Sequence, residues 1–86
     1  MLRVTAVRVR EDFHLEITFN NTEQRIIDMK KFLHGSEGLL NKIVENEQVF
    51  NSVYIDEISG ALTWLIEKKS IDFDSSVIYN FSDIVL

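Results

Sequence analysis

Residues 50–64 read FNSVYIDEISGALTW, and this segment has the clearest secondary-structure pattern in the chain. Large apolar residues alternate with smaller or polar ones on both sides of Gly60, which is the period-two pattern of strands with one buried face. A loop that closes with Gly60 at positive φ, a conformation that a residue without Cβ tolerates, sets Ile55 opposite Leu62. We therefore predict a β-hairpin. Its buried face carries Val53, Ile55, Leu62 and Trp64.

Two places in the chain are candidates for an interaction surface. The register that buries Trp64 turns Tyr54, Asp56 and Thr63 outward, onto the solvent face of the hairpin. The last three residues are apolar, and they either complete the core or present an apolar patch to a partner. The candidate interface residues are Tyr54, Asp56, Thr63, Ile84, Val85 and Leu86.

Upstream of the hairpin, two alternating segments predict the first two strands. Val9 lies opposite Leu15 when the loop around Asp12 has an odd number of residues. The apolar pattern changes phase between Ala6 and Val7, which predicts a β-bulge there.

A third strand follows a turn centred on Asn21 and Thr22, and this turn sets Ile26 on the core face. A β-branched residue resists positive φ, so Thr22 indicates a loop that is wider than two residues or locally strained. Asp28 is placed to cap a short helix over residues 29–33 by accepting hydrogen bonds from its free amides.

Two further helical segments are predicted between the third strand and the hairpin. Ser36 is the capping candidate for the first, which we expect to cover the sheet. Asn46 begins a second helical turn over residues 47–50. The apolar stripe of the covering helix consists of Leu39, Leu40, Ile43 and Val44.

After the hairpin, residues 65–70 are predicted to form a polar connection and residues 71–73 a last short strand. Asp74 then caps a final helix. One side of that helix carries Val77, Ile78, Phe81, Ile84 and Val85.

Composition limits the class of protein. The 86 residues predict a single domain over 1–86 without a membrane segment, and a cytoplasmic location is the simplest interpretation. The absence of cysteine excludes disulfides, thiolate ligands and a cysteine nucleophile. The net charge of -5 argues against direct binding to nucleic acid, because phosphates are neutralised by clustered Lys and Arg.

Few residues suggest catalytic chemistry. His14 and Glu16 share the solvent side of the second strand and are the candidate acid and base pair. General acid and base catalysis needs a cleft and a tuned environment, so an exposed position near Arg10 is the simpler interpretation. His34 precedes Gly35 at a helix end, where a protonated imidazole interacts favourably with the helix dipole.

Other motifs are incomplete. Residues 72–76, DFDSS, begin like a calcium-binding loop, but Val77 and Asp83 stand where that loop needs Gly and a bidentate Glu. The glycines form no phosphate-binding motif, and no serine lies in a nucleophile elbow. We expect no catalytic residue, no cofactor and no metal ion.

The order and spacing of these segments resemble a small bacterial family, domain of unknown function 2442, over nearly the whole chain. Three positions depart from the family pattern: Thr22 replaces a turn glycine, and Glu47 and Ser75 replace prolines. The connection from Trp64 to Asp72 is also longer. The matching segments are 4–7 VTAV, 15–19 LEITF, 25–29 RIIDM, 32–33 FL, 46–50 NEQVF, 53–56 VYID, 60–64 GALTW, 72–74 DFD and 78–79 IY.

The resemblance implies an α+β domain with an antiparallel sheet and helices on one face, and it supplies no established catalytic residues. Some relatives are fused to a helix-turn-helix. Many are encoded beside other small proteins, in arrangements like those of toxin and antitoxin pairs.

We therefore predict an α+β fold: an antiparallel meander of three strands, a helical segment, then the hairpin and a C-terminal helix, with helices packed on one face of the sheet. The predicted function is a non-catalytic interaction or regulatory module whose partner is another small protein or a second copy. One alternative is a small enzyme that uses His14 with a carboxylate such as Glu16. A weaker alternative is a DNA-binding accessory that acts through a partner.

Overall fold

The computed structural model describes residues 1–85. Within this range the chain forms seven strands and four helices, and none of the helices is long and apolar enough to cross a membrane. In chain order they are β1 (Val4–Arg10), β2 (His14–Phe19), β3 (Gln24–Asp28), α1 (Met29–Phe32), α2 (Leu39–Lys42), α3 (Glu47–Phe50), β4 (Tyr54–Ile55), β5 (Leu62–Ile66), β6 (Lys69–Phe73), α4 (Ser75–Phe81) and β7 (Asp83–Ile84).

The strands form two antiparallel sheets, which confirms the predicted α+β class. The larger sheet has the order β1-β2-β3-β7, and the smaller has the order β4-β5-β6. The predicted strand at residues 71–73 is present, but it is longer than expected and begins at Lys69. Residues 65–70 are therefore mostly strand, and Glu67 and Lys68 make the turn between β5 and β6.

The predicted pairing of the first two strands is confirmed. Val9 lies opposite Leu15, and the loop between β1 and β2 has the expected odd length. The bulge falls between Val4 and Ala6, one residue earlier than the change of phase in the sequence.

The predicted position of Ile26 on the core face is wrong. Arg25 lies opposite Ile17, and the buried residue of β3 is Ile27. The turn before β3 is wider than two residues, since the Phe19 amide donates to the Glu23 carbonyl. The wider turn shifts the register by one residue, and in a strand one residue reverses every side chain. Thr22 has a φ of 71°, so the loop is also strained as expected.

The register at the centre of the opening hairpin is confirmed. Ile55 pairs with Leu62, and Gly60 has a φ of 74°. A Cβ added at Gly60 would lie 2.7 Å from Arg3 Cβ, so both the backbone conformation and the available space require glycine. Leu62 and Trp64 are fully buried, whereas Val53 and Ile55 are half-buried.

The helix α3 contacts Trp64 directly, and the segment predicted to cover the sheet also packs on the core, with Ile43 fully buried and Leu39 and Val44 half-buried. The helix α2 has only one turn and begins after Gly38 instead of Ser36. The Trp64 indole N–H donates to the Phe50 carbonyl at 3.1 Å, and the two rings stack with centroids 6.1 Å apart. Asn46 caps α3 as expected, by accepting from the Gln48 and Val49 amides.

The predicted final helix ends early. Asp74 caps α4 as expected, but α4 stops at Phe81, and Asp83 and Ile84 pair with β3 instead of continuing the helix. The open edge of β3 provides hydrogen-bond partners for an extended chain there. As a result Ile78 is the buried apolar residue of α4.

We predict that Lys68→Gly stabilises the protein by about 0.5–1 kcal/mol. Glu67 and Lys68 have φ values of 51° and 67°, the left-handed conformation that a two-residue type I′ turn needs. This conformation costs an L-residue about 1–2 kcal/mol, and glycine avoids most of that cost at an entropic cost of roughly 0.5–1 kcal/mol. Urea unfolding measures the change.

The matched control is Lys69→Gly, which removes the neighbouring lysine from the first position of β6. Glycine inside a strand destabilises by about 0.5–1 kcal/mol. If Lys68→Gly and Lys69→Gly lower the free energy of unfolding by the same amount, the turn is not strained.

Candidate interaction surfaces

The outer face of the hairpin contains only part of the predicted interface. Tyr54 is 45% exposed, in agreement with its outward position. The expectation that Thr63 is exposed is wrong, because its relative exposure is 0%. Since β5 is the central strand of its sheet, Tyr54 and Asp72 flank Thr63 on the same face. The Thr63 hydroxyl donates to the Ala61 carbonyl, so its polar atom is satisfied inside the protein.

Asp56 has a structural role in the hairpin loop. Its Oδ1 accepts hydrogen bonds from the Ser59 amide at 3.1 Å and from the Ile58 amide at 2.8 Å. These two bonds favour the carboxylate and hold the pKa of Asp56 below its usual value. The same side chain therefore fixes the turn that the sequence placed around Gly60.

Ile84 and Val85 are exposed apolar residues and are not part of the buried core, and Leu86 lies outside the described residues. Whether they meet a partner stays a prediction. Val77 and Phe81 lie one helical turn apart and are therefore neighbours on α4. Their exposed fractions are 50% and 45%, and those of Ile84 and Val85 are 51% and 40%. We call these four residues the C-terminal surface: Val77, Phe81, Ile84 and Val85.

The strand in this surface is an edge. The Val85 amide donates to the Gln24 carbonyl, so the backbone of Val85 faces β3. Because backbone groups of successive strand residues point to opposite sides, the N–H and C=O of Ile84 point away from the sheet. An extended chain has a donor and an acceptor to pair with at this position.

Arg25 connects this segment to the sheet. Its Nε donates to Ser82 Oγ at 2.9 Å, and its Nη2 donates to the Ser82 carbonyl at 2.8 Å. Its Nη1 donates to Glu23 Oε1 at 2.7 Å, and Glu23 Oε2 accepts from the Tyr79 hydroxyl at 2.6 Å. The guanidinium carbon also lies 4.2 Å from the centroid of the Tyr79 ring. We call Glu23, Arg25, Tyr79 and Ser82 the Arg25 network.

The Arg25 network is not predicted by the sequence pattern, because a two-residue turn places Ile26 inward and Arg25 outward. Thr22 was the available signal, since a wider turn around that residue reverses the two assignments. The Arg25 side chain is only 16% exposed, so its hydrogen bonds are poorly screened by water.

Within residues 1–85, His14 and Glu16 form no hydrogen bond or ion pair with each other. Glu16 Oε2 accepts from Arg10 at 2.7 Å, and the carboxylate beside His14 is Asp28, with Oδ2 3.6 Å from His14 Nε2. The other oxygen of Asp28 caps α1 by accepting from the Lys31 amide. In the described residues no three His, Asp or Glu side chains come together in a group that could hold a metal ion.

An open cleft of about 660 Å³, which the sequence did not indicate, lies between β1 and α3. Residues 8–10 of β1 line one side, and Glu47 and Asn51 of the α3 segment line the other. Phe13 and Phe50 form its apolar part, with ring centroids 5.1 Å apart. We call this cleft the β1 groove.

Comparison of the chain with protein-family models, with curated proteins and with solved structures gave no match. The resemblance to domain of unknown function 2442 stays a prediction. The surfaces described above rest on the residues of this chain alone.

We predict that Glu23→Gln reduces stability at neutral pH and that its effect becomes smaller in acid. The Tyr79 hydroxyl and then Arg25 hydrogen-bond to Glu23, which lowers the pKa of its carboxyl group from the usual 4.5. A lowered folded-state pKa gives stability that is present above pH 4.5 and is lost as the pH falls through the folded-state value. Glutamine does not titrate, so the Glu23→Gln variant lacks this pH-dependent contribution to stability.

The measurement is urea unfolding of the wild type and the variant from about pH 7 to about pH 3, with Glu37→Gln as the control at an exposed position. The difference in free energy of unfolding between wild type and Glu23→Gln should decrease below pH 4.5. A difference that does not change with pH would contradict the role given to the Glu23 carboxylate.

Proposed function

We propose that this chain is a non-catalytic protein-interaction module, with a second copy of itself as the simplest partner and another small protein as the alternative. The C-terminal surface is the observation that carries the proposal. It contains four apolar side chains, each 40–51% exposed, next to an open strand edge. Val77 and Phe81 are neighbours on α4 and Ile84 follows in β7; exposed apolar side chains that lie close together are typical of interaction sites, whereas single exposed ones are not informative.

The order within the Arg25 network supports this proposal. Two donors of Arg25 bind Ser82 in the segment that carries Ile84 and Val85, and a third binds Glu23, which also accepts from Tyr79 of α4. The surface is therefore fixed before a partner arrives. A preorganised surface loses less conformational entropy on binding than a mobile one. The Phe81 ring is also held in place, because it packs on the Phe32 ring with centroids 4.9 Å apart.

The acidic composition and the resemblance to domain of unknown function 2442 both support a protein partner. The net charge of -5 favours a basic partner where the partner is another protein. Pairing with another small protein is also what the toxin and antitoxin type of arrangement in the resembling family implies. A second copy does not need charge complementarity at this surface, since its four side chains are uncharged.

We predict that Phe81→Lys and Ile84→Lys each weaken self-association at least tenfold, which corresponds to about 1.4 kcal/mol. Each variant places a charge where an apolar side chain would be buried against the partner. Light scattering and sedimentation equilibrium of the full chain over a range of concentrations measure the dimer fraction, and circular dichroism confirms that each variant is folded.

Ile58→Lys is the matched control, because it makes the same chemical change at a side chain that is 90% exposed in the hairpin loop. It should associate like the wild type. A chain that is monomeric at all concentrations and that also fails to bind the small protein encoded beside it would contradict the proposal. The proposal would also be contradicted if Ile58→Lys weakened self-association as much as Phe81→Lys and Ile84→Lys do.

A further inference from the structure

The β1 groove lies along an open strand edge. It is lined by three consecutive residues, Arg8, Val9 and Arg10. Successive side chains of a strand point to opposite faces, so these three residues border the cleft along the strand edge, and the lining continues through residues 11–13 of the following loop. β1 is the first strand of its sheet, and within residues 1–85 no further strand is hydrogen-bonded to its outer edge, although β4 packs close to β1. The backbone of residues 8–10, as well as their side chains, therefore lines the β1 groove.

The register shows which backbone groups face the groove. The Phe19 amide donates to the Glu23 carbonyl, so the backbone of Phe19 faces β3. Backbone N–H and C=O groups alternate in direction along a strand, so the backbone of Glu16 faces β1. Arg8 pairs with Glu16, and its backbone therefore faces β2. The N–H and C=O of Val9 then point away from the sheet and into the groove. No backbone hydrogen bond uses them within residues 1–85.

We propose that the β1 groove binds an extended, basic peptide segment of a partner protein by strand addition. This site is separate from the C-terminal surface, at the opposite edge of the same sheet. The free N–H and C=O of Val9 recognise the backbone of an extended chain, and Phe13 and Phe50 receive its apolar side chains.

Charge in the groove favours a basic segment. Arg10 is neutralised by Glu16 at 2.7 Å, and Asp12 by Lys30 at 2.8 Å. The remaining charged side chains of the lining are Arg8, Glu11 and Glu47, and these three form no ion pair within residues 1–85. Two carboxylates and one guanidinium leave an excess negative charge, which a Lys or Arg of the peptide complements.

The test uses a fluorescein-labelled octapeptide in which Val and Lys alternate, and fluorescence anisotropy with the full chain. The same peptide with N-methylated valines cannot donate backbone hydrogen bonds, and a third peptide has Glu in place of Lys. We expect saturable binding of the Val and Lys peptide that is at least tenfold tighter than binding of either other peptide.

Val9→Pro removes the free N–H at a position where the sheet does not need it, and edge strands tolerate proline there. It should weaken peptide binding at least tenfold. Val9→Thr keeps the N–H and a β-branched side chain, so it should bind like the wild type. Glu47→Lys should weaken binding, whereas Glu37→Lys, at an exposed position outside the groove, should not.

Three results would overturn the proposal. The first is no saturable binding of the Val and Lys peptide. The second is equal binding of the N-methylated peptide, which would indicate charge attraction alone. The third is an unchanged affinity in Val9→Pro, with circular dichroism showing that the variant is folded. Phe81→Lys should leave peptide binding unchanged, so failure here is distinguishable from failure of the proposed function.

Discussion

The Arg25 side chain is the interaction on which the C-terminal part of the structure depends. An arginine on the buried face of a strand is costly unless its donors are satisfied, and here Glu23 and Ser82 accept from it. Hydrogen bonds to charged groups contribute about 1.5–3 kcal/mol each. Ser82 is the residue that follows α4 and precedes β7, so Arg25 ties the end of this helix and the start of the edge strand to β3.

The four-stranded sheet has an open edge on each side, and both proposed binding sites lie at these edges. At one edge, β7 carries the C-terminal surface. At the other, the first part of β1 is covered, since the Val4 amide donates to the Gly60 carbonyl, while residues 8–10 border the β1 groove. Open strand edges readily pair with another chain, so the fold places its unused hydrogen-bonding capacity where partners can reach it.

Much of the fold could be predicted from local patterns. The alternation around Gly60 gave the hairpin register, and Asp28, Asn46 and Asp74 cap the helices that they were expected to cap. What could not be predicted depends on contacts between distant residues. Thr63 alternates like a solvent-facing residue but is buried between Tyr54 and Asp72, which flank it on the two neighbouring strands.

The candidate sites were only partly predictable for the same reason. The apolar spacing after Asp74 fits a helix through Val85, yet pairing with β3 makes the last residues a strand. The most direct test is hydrogen exchange of the Val85 amide in Arg25→Met. We predict faster exchange of this amide, which donates to the Gln24 carbonyl, while the Thr63 amide in the smaller sheet keeps its protection. Unchanged exchange at Val85, or equal loss at both amides, would contradict it.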